Sequence, residues 1–150
     1  MTAKKFHSTS VVIEDLGILI RGQSGSGKSD LALRLIDSGA TLISDDLTIC
    51  KKIGDYLYLY PHSKTKGLLE VREIGIMTVP YVENIKLTLV VELVAEEFER
   101  IPRQMNCSIL GLKFPKIKIF GKGSSAVAKI KIKLNQIRSC LLYTSDAADD

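Results

Sequence analysis

One octapeptide limits the folds open to this 150-residue chain more than anything else in it: Gly22-Gln23-Ser24-Gly25-Ser26-Gly27-Lys28-Ser29. It fits the pattern of a glycine, four free positions and Gly-Lys-Ser, which forms a phosphate-cradling loop between a strand and a helix. At average residue frequencies a chain of this length would meet the pattern by chance about half a per cent of the time. The surroundings agree with the motif. A β-rich run, 17–21, precedes it, and Leu31, Ala32, Leu35 and Ile36 follow at helical spacing. Gly39 stands where a C-terminal helix glycine belongs, so the spacing predicts a helix over 28–38.

The residue types explain the chemistry. A polyphosphate carries several negative charges, and side chains at the loop would block its approach. Gly22, Gly25 and Gly27 permit a tight turn whose backbone N–H groups point inward. The helix N-terminus adds a favourable dipole. Lys28 neutralises the terminal phosphate oxygens, and the Ser29 hydroxyl suits a Mg²⁺ ion bridging them. Residues 22–29 are therefore the expected nucleotide-binding site, which by itself names neither an acceptor nor a reaction.

The rest of the chain reads as one α/β domain without repeats or linkers. Runs 11–13 and 17–21 predict a hairpin around Glu14-Asp15-Leu16-Gly17. Residues 41–44 read as a short buried strand ending at Asp45-Asp46. Residues 56–60 alternate Tyr and Leu as a strand does, 61–67 form a polar loop, and 68–72 start a strand or connector. Residues 86–94 are the clearest interior strand, 102–115 have no decided reading, and 116–120 alternate as a strand. Val127, Ile130, Leu134 and Ile137 trace one helical face, predicting a helix from about Ser124.

Composition narrows the class. With 45% apolar and 25% charged residues and a formal charge of +4, the chain is rich enough in apolar groups to bury a core. The most apolar stretch, 87–94, contains Thr88 and Glu92 and falls well short of the ~20 residues of a membrane span. No secretory signal is visible in the polar first ten residues. Cys50, Cys107 and Cys140 show no metal-binding spacing and read as structural thiols of a cytoplasmic protein. Residues 113–133 hold seven Lys and no acid. That block reads as a solvated surface or a face for an anionic partner. No nucleic-acid motif accompanies it, so neither nucleic acid nor membrane is an expected partner.

Residues 140–150 fit nothing before them. They read as the translation of a sequencing-library adapter joined to a truncated gene fragment, or as a short native acidic tail. On the first reading the domain occupies 1–139 and 140–150 is a non-native tail.

Two further constellations carry chemistry. Asp45-Asp46 stands at the end of a strand, where open α/β sheets present their ligand crevice. A carboxylate there can ligate Mg²⁺ or take a proton from an attacking hydroxyl, and an Asx turn or helix cap is the structural alternative. Adjacent strand residues point to opposite faces, so the pair should divide its roles. In Leu68-Leu69-Glu70-Val71-Arg72-Glu73, an extended backbone would put Glu70 and Arg72 on one side, as a metal ligand and a phosphate holder or as a surface ion pair.

Together, segments 6–8, 19–37, 42–46, 67–72 and 74–76 resemble the catalytic domain of HPr kinase/phosphorylase, especially the short form found in α-proteobacteria. The resemblance covers about 6–134. It implies a P-loop kinase domain with a mixed β-sheet flanked by helices, of the HPr kinase and phosphoenolpyruvate carboxykinase-like kind. It also implies ATP and Mg²⁺ as cofactors and a serine of the phosphocarrier HPr, in the sugar phosphotransferase system, as acceptor. The same site would remove the phosphate with inorganic phosphate, giving pyrophosphate. By position, Lys28 would bind phosphates, Ser29 and Glu70 would bind Mg²⁺, Asp46 would accept the seryl proton and Asp45 would support it. His7 matches the family's active-site histidine and Arg100, loosely, its later catalytic arginine. Arg72 and Lys122 fall in the regions tied to phosphate and dephosphorylation. Full-length members form hexamers, which makes a homo-oligomer possible.

Three positions depart from the family pattern: Ser8 for Gly after the histidine, Glu73 for Gly after Arg72, and Lys122 for an arginine. The last loses bidentate phosphate contact, so kinase activity is better supported than phosphorolysis. The alternatives are a P-loop small-molecule kinase and a non-catalytic nucleotide-binding regulator.

Overall fold

The computed structural model describes residues 2–96 and 99–149, with side chains described as far as Leu141. In chain order the elements are β1 (Thr2–Phe6), β2 (Thr9–Ile13), β3 (Leu16–Arg21), α1 (Lys28–Asp37), β4 (Thr41–Ser44), β5 (Thr48–Ile53), β6 (Tyr56–Pro61), β7 (Leu68–Val71), β8 (Gly75–Thr78), β9 (Ile85–Val94), β10 (Met105–Ile109), β11 (Leu112–Phe120) and α2 (Ala126–Asp149). The α/β class, the helix after the octapeptide and the strand ending at Ser44 stand as the sequence predicts. The final helix starts two residues later than expected and continues as backbone through residue 149. Met1, Asp150 and the side chains of 142–149 lie outside the described residues, and with them most of the tail singled out in the sequence.

Strand β9 organises the mixed sheet, whose order is β1-β5-β6-β9-β3-β2-β4, with β11 and then β10 branching from β9. It runs parallel to β3 on one side. On the other it pairs with β6 through Ile85 and Lys86 and with β11 from Val90 to Val94. The β3–β9 register slips between Gly17 and Ile18. Gly17 is required there, because a Cβ would lie 2.3 Å from the Lys86 carbonyl oxygen. Strands β2 and β3 close on Glu14 and Asp15, both at positive φ (48° and 69°), as a twist-matched two-residue hairpin turn demands.

Two buried clusters lie in the core. On one, α1 (Leu31, Ala32, Leu35) and α2 (Ala126, Ile130, Leu134) pack against Ile18, Ile20, Leu89 and Val91. Both helices thus cover the same cluster. The other cluster is closed by strands, with Leu19, Val90, Leu57, Leu59, Ile109 and Phe114.

Topology sets the position of the site. Strands β3, β9 and β11 are mutually parallel, and β4, antiparallel to β2, runs the same way as β3. Their C-terminal ends share one edge of the sheet. The chain therefore leaves that edge after Arg21, Ser44, Val94 and Phe120, and β2 begins there.

Candidate active site

The octapeptide forms the expected strand–loop–helix. Gly25 and Gly27 have φ of 81° and 95°, conformations that favour glycine. Gly22 serves close approach instead: a Cβ there would lie 2.5 Å from Ser26 Oγ and 3.2 Å from Leu93 Cβ. Lys28 Nζ donates to the carbonyl oxygens of Gly22 (3.0 Å) and Gln23 (3.3 Å), folding its charge over the loop. Ser26 Oγ is buried and has no hydrogen-bond partner among the described residues, an orphaned polar atom inside the loop.

Asp45 is the hub of the site. It is only 5% exposed. Its Oδ1 accepts from Ser29 Oγ (2.7 Å) and Thr9 Oγ1 (3.0 Å), and its Oδ2 accepts from the Glu70 backbone N–H (3.0 Å). One carboxylate thus joins the first turn of α1, the start of β2 and strand β7. The Ser29 proton points to Asp45, which leaves its oxygen lone pairs for a cation. Among the described residues no group of three or more His, Cys, Asp or Glu could cage a metal.

Asp46 takes the opposite environment. It is exposed, with φ of 68°, and its N–H donates to Thr9 Oγ1 (3.2 Å). The two side chains differ in burial, and strand alternation is not the reason: β4 ends at Ser44, so both lie in the bend after it.

Among the described residues, the side chains of the remaining candidates make no hydrogen bond to loop 22–29. His7 is exposed and sits between β1 and β2, beside segment 45–47. The register pairs Phe6↔Thr48 and Ser10↔Ser44 bracket it there. Glu70 is exposed on β7. Arg72 corrects the extended reading of 68–72. The strand ends at Val71, and Arg72 lies in the turn before β8, where Glu73 takes a φ of 73°, so the two-residue alternation with Glu70 does not hold. Arg100 lies after β9 and lines a groove of about 1050 Å³ with Arg103, Lys116 and Phe120. It makes no hydrogen bond to loop 22–29 among the described residues. Lys122 is exposed in the loop before α2. Burial pushes the Cys50 thiol up to about 12, so it stays protonated and unreactive at neutral pH.

Sequence reasoning missed two residues. Thr9, fully buried, bridges the Asp pair. Arg34 donates from Nη1 to Gly123 O (3.2 Å) and from Nη2 to Gly121 O, and so holds both carbonyls that flank Lys122. A strand threonine and a helix arginine are too common to signal such roles alone.

Comparison with known proteins supplies the last observations. The family model described as HPr Serine kinase C-terminal domain matches residues 1–140. An HPr kinase/phosphorylase of Mycoplasmopsis pulmonis is 36% identical over 140 residues, which cover 89% of this chain and 43% of that protein. One from Clostridium acetobutylicum is 46% identical over 76 residues, covering 51% of this chain and 25% of that protein. The solved structure of the HPr(Ser) kinase/phosphatase from Coxiella burnetii superposes with a TM-score of 0.83 at 26% identity, over 96% of each chain. The chain spans less than half the length of the curated relatives it matches.

Proposed function

The chain belongs to the HPr serine kinase C-terminal domain family, and from that premise we propose that it phosphorylates a serine of an HPr-type phosphocarrier with ATP. The observation that carries this reading is a buried carboxylate, Asp45, which draws the phosphate loop (Ser29), the Asp46 turn (through Thr9) and the Glu70 strand to one point. Loop 22–29 binds the nucleotide phosphates, with Lys28 leaving its loop carbonyls for their oxygens. Ser29 and Glu70 would hold Mg²⁺, which neutralises phosphate charge when bound. Asp45 has its acceptor sites engaged and orients its neighbours. Asp46, exposed, accepts the proton of the seryl hydroxyl as that oxygen attacks the terminal phosphorus and ADP leaves. Serine is a poor nucleophile near neutrality, so a carboxylate within hydrogen-bond reach lowers the barrier. His7 and Arg100 flank the same edge and assist there. Dephosphorylation at the same site is a separate reaction: an oxygen of inorganic phosphate attacks the phosphorus of phosphoserine, pyrophosphate forms and the seryl oxygen leaves and is reprotonated, with Arg72 and Lys122 as phosphate contacts.

The test is direct. Purified chain, HPr, ATP and Mg²⁺ should yield phosphoserine on HPr by mass spectrometry, and none would end the proposal. Asp46→Asn should abolish transfer while ATP affinity stays within a few fold. Loss of both together would make Asp46 a metal ligand instead.

A further inference from the structure

We propose that Thr9 is a positioning residue whose hydroxyl ties the Asp45 carboxylate to the Asp46 backbone, holding Asp46 in the turn from which its side chain serves the acceptor. The inference rests on the reading of Asp46 given above.

Thr9 is fully buried at the head of β2, where it pairs with Ile20, two residues before Gly22. Its Oγ1 bonds to Asp45 Oδ1 at 3.0 Å and to Asp46 N at 3.2 Å. The proton assignment is forced. The amide can only donate, and an ionised carboxylate can only accept, so the hydroxyl must accept from Asp46 and donate to Asp45. A hydroxyl does both with one atom. Valine, its isostere, does neither.

The segment it holds is one that would not hold itself. Leu47 N–H donates to Asp45 O at 2.8 Å, closing a three-residue turn around Asp46 with a φ of 68°. The positive-φ form of that turn is uncommon and strained. Backbone pairing gives no support, because the β2–β4 ladder shifts register between Ser10 and Val11 and ends at Ser10↔Ser44. Two side chains brace the turn in its place: Ser44 Oγ donates to Leu47 O, and Thr9 holds the Asp46 N–H. Without Thr9 the Asp46 peptide loses its partner, and the carboxylate loses its fixed approach to the acceptor.

The experiment compares the parent chain with Thr9→Val and Thr9→Ser in transfer to HPr, in ATP binding, and in hydrogen exchange of the Asp46 amide by NMR. Thr9→Val should lower kcat about tenfold or more at unchanged KM for HPr and ATP, as expected for a misplaced reacting group. Its Asp46 amide should exchange about tenfold faster while core β3 amides keep their protection. Thr9→Ser should restore both. A Val variant with kcat within twofold of the parent, or a Ser variant as slow as Val, overturns the proposal. If Thr9→Val does not fold, the parent decides: an Asp46 amide exchanging as fast as an open loop overturns it, and a protected one supports it. That measurement needs no phosphocarrier, so a chain that fails to phosphorylate HPr would sink the kinase reading and still leave Thr9's hold on Asp46 measurable.

Discussion

Asp45 and Glu70 are joined by one hydrogen bond, yet one is buried and engaged on both oxygens while the other stands exposed on its strand. The same division runs through the whole site. The side proposed for the nucleotide, loop 22–29 with Asp45, is tied together around Asp45 by hydroxyl, carboxylate and backbone bonds that are buried or half-buried, with Thr9 linking it to Asp46 and only Gln23, Ser24 and Gly25 of the loop exposed. The side proposed to meet the acceptor, with His7, Asp46, Glu70, Arg72, Arg100 and Lys122, is exposed throughout. Beside it the β7–β8 hairpin presents Ile74 and Ile76, each 69% exposed. On the function proposed above, such a site would fix the phosphate donor in advance and leave the acceptor face open to a macromolecule. Substitutions on the two sides should accordingly differ in kind: loss of stability together with activity on one, loss of activity alone on the other.

Asp45→Ala should show the first behaviour at its strongest. It leaves the Thr9 and Ser29 hydroxyls and the Glu70 N–H without their acceptor, and each buried unsatisfied donor costs about 1–3 kcal/mol. Relaxation recovers part of that. A net loss of about 3 kcal/mol, or about 6–12 °C in Tm for a domain of this size, is expected, with transfer to HPr reduced at least ~100-fold. Thermal denaturation and the phosphoserine assay measure both. A Tm within 2 °C of the parent, by contrast, would mean that the buried network is not what holds the nucleotide side.

Glu70→Gln should show the second behaviour. The backbone bond to Asp45 survives, and the exposed side chain supports nothing else, so stability should stay within about 0.5 kcal/mol. The Mg²⁺ concentration for half-maximal transfer should instead rise about tenfold, as for a lost carboxylate ligand. A metal titration at saturating ATP reads this. An unchanged midpoint would take Glu70 out of the metal site, and a large fall in Tm would erase the division between the two sides.

The same division explains what could be read from the sequence. The phosphate loop is legible because a local rule writes it, with glycines where φ is positive or approach is close and Lys-Ser at the helix start. Strands such as 41–44 and 85–94 are legible because they are buried and apolar. Strand β1 is hidden, since Thr2, Ala3, Lys4 and Lys5 are all exposed and the strand exists only by pairing with β5. The β10–β11 hairpin is hidden because Leu110, an apolar residue, takes a turn position at φ 51° beside Gly111. Arg72 misled because strand period says nothing about where a strand stops. Thr9 and Arg34 act over 36 and 87 or more residues of sequence, distances at which no local pattern reports a hydrogen bond.

Arg34 gives the subtlest probe, because it ties the buried side to one exposed candidate. Asp30 Oδ2 accepts from its Nε at 3.1 Å and orients the guanidinium, whose other two nitrogens hold the carbonyls on either side of Lys122. Arg34→Ala frees that loop while leaving α1 and loop 22–27 intact. It should lower Tm by about 2–4 °C, the worth of about 1 kcal/mol in a domain of this size. Phosphorolysis of phosphoserine-HPr should fall about fivefold, with the forward kinase rate within about twofold, since a loosened Lys122 loses part of its charge-assisted contact with phosphate. Arg34→Lys should behave like Ala, because a single ammonium does not span two carbonyls in a fixed fork. Steady-state rates in both directions on the same preparations decide the matter. Equal falls in both directions would assign Arg34 to the nucleotide side, through the helix that carries Lys28 and Ser29. No fall in either would remove the Lys122 loop from the site.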